Sequence, residues 1–100
     1  MRALRYANRA QADFVAIALY VVAESGSRAV ADAFIDQLND RCLHLASLPG
    51  TLGTARPELR PDVRSMAHKD YVIFFRYVEE EVEIVNVVRG QRDLKRLFGN

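Results

Sequence analysis

This 100-residue sequence has a single cysteine, no apolar stretch longer than ten residues and almost no excess of either charge, and each shortage removes a class of protein. The lone thiol, Cys42, rules out an internal disulfide and a cysteine-rich metal centre. At a helical apolar position it reads as a small core residue, in keeping with a reducing compartment. The longest apolar run covers residues 14–23, about half of the roughly 20 residues that a membrane-spanning helix needs. The first six residues, Met-Arg-Ala-Leu-Arg-Tyr, contain no apolar signal region, so a soluble cytoplasmic protein with no membrane association is expected. Fourteen basic against thirteen acidic residues leave a net charge of +1. Nucleic-acid binding through the overall field usually goes with a pI above about 9, so any such contact here must be local.

What is present is enough for one core. Half of the residues are hydrophobic and 27% are charged, which excludes a disordered chain, and the length bounds residues 1–100 to one domain near the marginal end of stability. Charge is uneven along the chain. Residues 79–83 carry four acids, and residues 89–96 carry four bases and one acid.

Residues 2–6 predict a short first strand. Asn8, with Gln11 three residues on, has the pattern of a capping box, so a helix is expected over residues 9–24. Phe14, Ile17, Ala18, Val21 and Val22 fall on one face at helical spacing. Val15, Leu19 and Tyr20 point away from that stripe, so the helix is apolar nearly all round, the mark of an element covered on both sides. Leaving those three wet forgoes roughly 5–9 kcal/mol, comparable with the whole stability of a small domain. Either the fold sandwiches this helix or a partner covers its far face. Gly26 ends it and Ser27 caps a second helix over residues 28–48. In that helix Ala31, Phe34, Ile35, Leu38, Cys42 and Leu45 form the buried stripe, while Asp32, Asp36, Asn39 and Asp40 lie opposite and His44 is solvated.

Gly50, Gly53, Pro57 and Pro61 make residues 50–61 a loop. Three runs rich in β-branched and aromatic residues follow, at 63–67, 71–78 and 82–89, separated by turns short enough for antiparallel hairpins. Residues 91–98 suit a last turn or two of helix. The order β-α-α-β-β-β predicts an α+β fold: a short N-terminal strand, then a helical hairpin packed on one face of an antiparallel sheet, with a short C-terminal helix. The middle strand is apolar on both sides, Tyr71, Ile73, Phe75 and Tyr77 alternating with Val72, Phe74, Arg76 and Val78. The second face of the sheet therefore also needs cover.

Several pieces, in order and nearly end to end, resemble the ParE-type toxins of the ParE/RelE superfamily. They are Ala10-Gln11-Ala12-Asp13-Phe14 with Ile17 and Tyr20, Ala33-Phe34 with Leu38, and Leu45-Ala46 with Leu48-Pro49 and Gly53. Arg56-Pro57-Glu58-Leu59-Arg60, Val63-Arg64-Ser65, Tyr71-Val72-Ile73-Phe74-Phe75-Arg76 and the segment from Val82 to Leu94 with its Gly90-Gln91-Arg92-Asp93 continue the series. The resemblance implies the toxic half of a type II toxin–antitoxin pair, neutralised by an antitoxin wrapped around it. That antitoxin would be ParD-like, with a ribbon–helix–helix domain, so that the toxin meets DNA only through it. The residues it would cover are Val15, Leu19 and Tyr20 on the helix and Phe74 and Arg76 on the sheet.

ParE relatives are known as inhibitors of DNA gyrase, whereas their RelE cousins cut messenger RNA in the ribosome. Cutting RNA needs a base, an acid and cations for the phosphate. RelE-like nucleases commonly carry a tyrosine or histidine near the C-terminus, and residues 78–100 contain neither. A nuclease would have to use Arg64, His68, Arg89 and Arg92, and an arginine is a poor proton donor near neutrality. His68 alone titrates in the useful range. The incomplete set favours gyrase, with no active site, cofactor or metal in the toxin itself. Target contacts are then expected from Arg64, Arg89, Arg92, Lys95 and Arg96, with Leu97 and Phe98 from the tail's apolar stripe. A ribosome-dependent nuclease and a degenerate, non-toxic co-repressor are the alternatives.

Overall fold

Tyr6 and Ala7 decide where the first helix begins. The computed structural model describes residues 2–90. In it β1 (Ala3–Tyr6) runs parallel to the last strand, β5 (Glu81–Arg89), with Ala3 opposite Glu81 and Tyr6 opposite Ile84. The Ala7 N–H prolongs that pairing to the Ile84 carbonyl at 2.9 Å. Ala7 is therefore held extended, and helix α1 (Asn8–Ser25) starts one residue earlier than the capping-box pattern predicts. Asn8 is the first helical residue rather than the cap, and Ala7 offers no side chain to the first turn. Gln11 reaches back instead to the Tyr6 carbonyl, at 3.1 Å.

The other end of α1 follows expectation. Gly26 adopts the left-handed conformation (φ 69°) and its N–H closes on the Val22 carbonyl at 2.8 Å. Ser27 then caps α2 (Arg28–Ser47), its Oγ accepting the Val30 N–H at 3.2 Å. The hairpin so formed lies on one face of a five-stranded sheet. The remaining strands are β2 (Thr54–Ala55), β3 (Arg64–His68) and β4 (Tyr71–Val78), and the order across the sheet is β1-β5-β4-β3-β2. Hairpins β3–β4 and β4–β5 are antiparallel as predicted, their turns made by Lys69 and Glu79 at φ 54° and 55°. The sequence leaves the partner of the first strand open, and β1 pairs parallel with β5 at the edge of the otherwise antiparallel sheet. Parallel neighbours need a long crossover, and the chain between residues 7 and 80 supplies it.

Beneath the helices lie Ile17, Leu38, Cys42 and Leu45 from above and Ile73, Phe75, Val82, Ile84 and Val87 from the sheet, all buried. Burial pushes the Cys42 thiol up to about 11, so it stays protonated as a core residue.

The second face was expected to be open, and it is covered in part by the chain itself. Leu59 and Val63, from the segment between β2 and β3, pack on Phe74, Val88, Val72 and Val85. Arg56 and Arg76 pin that segment, and Arg64 ties down the loop just before β2. Arg56 donates to Ser65 Oγ at 2.8 Å, Arg64 to the carbonyls of Leu52 (2.7 Å) and Gly53 (3.0 Å), and Arg76 to Asp62 at 2.9 Å. Gly53 has φ 75°, and a Cβ there would meet the Ser65 carbonyl at 2.6 Å and the Phe75 ring at 2.8 Å, so no other residue fits. The strand β2 itself, two residues paired with Ser65 and Arg64, lies inside what the sequence reads as loop. The C-terminal helix expected at residues 91–98 lies outside the described residues.

Candidate functional site

The outward side of α1 is open. Val15 is 61% exposed and Leu19 66%, one helical turn apart, and Tyr20, Val30 of α2 and Val22, which the spacing puts on the inward stripe, are exposed as well. No described residue covers Val15 or Leu19, so the sandwiched-helix reading is not realised within residues 2–90. A groove between the two helices, lined by Phe14, Val15, Ala18 and Ile35, carries Asp32 and Asp36 on its α2 side. The surface is thus an apolar floor with an acidic wall. Singly exposed apolar residues are ordinary, but a contiguous strip of this kind marks an interaction site.

Tyr20 also joins two surfaces that the sequence treats as separate. The Arg89 guanidinium donates to the Tyr20 hydroxyl at 2.6 Å and lies 4.6 Å from the centre of its ring. The hydrogen bond to Tyr20 raises the Arg89 pKa above its ordinary value, so its charge is permanent. The α1 residue expected to meet an antitoxin and the β5 residue expected to meet a target are therefore in direct contact.

Of the four residues a nuclease would need, three are among the described residues, and Arg64 lies apart from the other two. Arg64 and His68 point to the same face of β3 but four positions apart, roughly 13 Å along a strand. Arg64 is occupied by the Leu52 and Gly53 carbonyls. His68 ends β3 rather than sitting in the turn, with its ring 6.0 Å from Phe34. Its Nε2 is buried without a hydrogen-bond partner. Burial, then the charges of Arg41 and Lys69, lower its pKa below the ordinary histidine range, so it is neutral at physiological pH. Cross-strand pairing does align His68, Tyr71 and Arg89 in one row, but the Arg89 side chain is engaged with Tyr20. Arg92, Lys95, Arg96, Leu97 and Phe98 lie outside the described residues.

Two residues assigned to the antitoxin serve the fold. Phe74 is fully buried beneath the β2–β3 segment and offers no area to an outside partner. Arg76 is held by Glu83 at 2.6 Å and Asp62 at 2.9 Å, and Glu83 is shared with Arg5 at 2.8 Å. These bonds raise the Arg76 pKa and lower that of Asp62. Among the described residues no group of His, Cys, Asp or Glu could hold a metal ion, and no helix is long and apolar enough to cross a membrane.

Sequence reasoning passed over a third region. At the second face of the sheet, a β-bulge places Asn86 opposite Phe74 and Ile84 opposite Phe75, with Val85 the extra residue. Asp13 of α1 accepts the Val87 N–H beside it at 2.9 Å. Asn86 is only 3% exposed, its Oδ1 has no partner, and it lines a hollow with Arg9, Arg60 and Arg76. The signal in the sequence is one amide interrupting the apolar run Ile84-Val85-Asn86-Val87-Val88.

Comparison with known proteins agrees with this architecture. The family model for the ParE toxin of type II toxin–antitoxin systems, parDE, matches residues 4–94. A solved structure described as the chromosomal ParDE TA system from P. aeruginosa superposes with a TM-score of 0.76 at 24% identity, covering 90% of this chain and 97% of that one. No curated protein sequence matches.

Proposed function

The chain belongs to the ParE toxin family of type II toxin–antitoxin systems, and on that premise we propose that it inhibits DNA gyrase when free and is held harmless by an antitoxin laid over the outer face of α1. The observation that carries the antitoxin half is the exposed strip of Val15, Leu19 and Tyr20. Covering it recovers about 1.5–3 kcal/mol for each large apolar side chain fully buried. The antitoxin is read as ParD-like, a ribbon–helix–helix protein that supplies the pair's contact with DNA, and both act in the cytoplasm.

The gyrase half is supported by what the site residues do. Arg64 braces a loop, His68 is neutral with its Nε2 buried, and Arg89 is paired with Tyr20, which speaks against these three as an acid–base set for cutting RNA. The target-facing surface is assigned to Arg89 and the segment that follows it. The test separates toxin from antitoxin and adds it to gyrase, ATP and plasmid. Accumulated cleaved DNA or lost supercoiling, reversed by the antitoxin, is the expected result. No effect from a preparation that still kills cells would move the target to the ribosome. Deleting residues 90–100 should abolish toxicity while leaving antitoxin binding intact, and retained toxicity would remove that segment from the target surface.

A further inference from the structure

The apolar crest of α1 carries opposite charges on its two flanks. Measured round the helix from Val15, Ala18 projects about 60° to one side and Tyr20 about 140° to the other. On the Ala18 side lies α2, and the groove between the helices, about 500 Å³, has Asp32 and Asp36 along its wall. These aspartates stand one turn apart and are exposed. Among the described residues neither takes part in an ion pair or a side-chain hydrogen bond. Arg28, one turn before Asp32, leaves it unpaired, and residues 10–25 of α1 contain no base at all.

On the Tyr20 side lies Arg89, exposed at the end of β5 and laid against the tyrosine ring and hydroxyl. Asp70 acts on it electrostatically but forms no ion pair with it. The order across the surface is therefore carboxylates, apolar crest, guanidinium. An extended segment gains little here, because the side of a helix has no free backbone N–H or C=O with which to build a ladder. A helix laid along α1 repeats its side chains at the same pitch and can interdigitate with Val15 and Leu19.

We propose that the crest seats an amphipathic helix of the antitoxin, with basic side chains along its edge beside α2 and an acidic one along its edge beside β5. The inference rests on the antitoxin reading above and adds the chemistry of the segment that docks. Charges that flank an apolar seam set partner choice and orientation in paired helices, while the seam supplies the area. Turning such a helix end for end places its bases over Arg89 and its acid over Asp32 and Asp36, so one direction alone is accepted. An antitoxin with the same apolar face and reversed edges is refused.

The test is calorimetry of the full-length chain with its purified antitoxin. Asp32→Lys with Asp36→Lys should weaken binding roughly a hundredfold, the scale of like-charge contacts at an interface. Asp32→Asn with Asp36→Asn should weaken it roughly tenfold and flatten its decline between about 0.05 and 0.5 M salt. Changing the antitoxin's facing bases to glutamate should restore binding to the lysine variant, a rescue that a purely structural role of the aspartates would not give. Unchanged affinity in the lysine variant, or a loss that no reversed antitoxin repairs, would overturn the proposal. So would a lone chain that dimerises through the same residues, which makes the occupant a second copy. If Val15→Ser with Leu19→Ser weakens binding and the lysine variant does not, the antitoxin reading stands and this inference fails. If neither weakens it, the antitoxin sits elsewhere and the reading itself fails.

Discussion

Two apolar surfaces of this molecule look alike in the sequence and end differently in the fold. The outer side of α1 and the second face of the sheet both carry large side chains beyond what one layer of helices can cover. On the sheet, Leu59 and Val63 close over Phe74, and Arg76 of β4 and Arg56 of the segment itself hold that cover down. On the helix, no described residue returns to do the same, and Val15 and Leu19 remain more than half exposed. An unmatched apolar face therefore states a need without saying who meets it. A loop that follows can supply the cover when it is long enough and has polar anchors at both ends. Otherwise the cover must come from another chain.

The sharpest way to break the comparison is to truncate one side chain from each surface. Phe74→Ala should lower stability by about 3–5 kcal/mol, because it empties a sealed layer, and urea unfolding would read the loss. A change below about 1 kcal/mol would show that the cover is loose. Val15→Ser with Leu19→Ser should leave unfolding within about 0.5 kcal/mol of the parent. The same pair should weaken antitoxin binding by roughly thirtyfold or more in calorimetry, as central contact residues do. If affinity is unchanged, the antitoxin sits elsewhere.

Smaller effects test what holds the cover in place. Arg76→Ala should cost about 1 kcal/mol, the scale of half-exposed ion pairs, and the loss should shrink in high salt. Faster amide exchange at Leu59 and Val63 would accompany it. The smallest effect is that of His68. Its folded pKa lies below the unfolded value of 6.5, so between the two the folded state binds fewer protons than the unfolded one. Stability should therefore fall as pH drops below about 6.5 and level off once the folded pKa is passed. His68→Gln should flatten that slope in melting curves taken from pH 7.5 to 4.5, and an unaltered slope would place the proton uptake elsewhere.

Local patterns made much of this legible. The helices, the Gly26 and Ser27 caps and the two antiparallel hairpins follow from spacing and turn chemistry over a few residues. The rest rests on partners far along the chain. Asn8 lost its place as the cap because Ile84 holds Ala7 extended. The aspartate that steadies the bulge lies 74 residues before the amide it accepts. Arg64 and Arg76 read as free cations until the carbonyls and carboxylates that hold them are known. Phe74 reads as a partner contact because the residues that bury it sit in a segment with no periodicity of its own.

The parallel pairing of the first strand with the last also has a consequence for synthesis. β5 lies between β1 and β4, and it supplies Val82, Ile84 and Val87 to the core. A nascent chain released before residue 81 lacks the strand that joins β1 to β4, and its first strand waits unpaired while the helices are already made. Such a fragment leaves two sheet edges open and cannot seal its interior, so premature termination yields material for proteolysis rather than a shorter toxin.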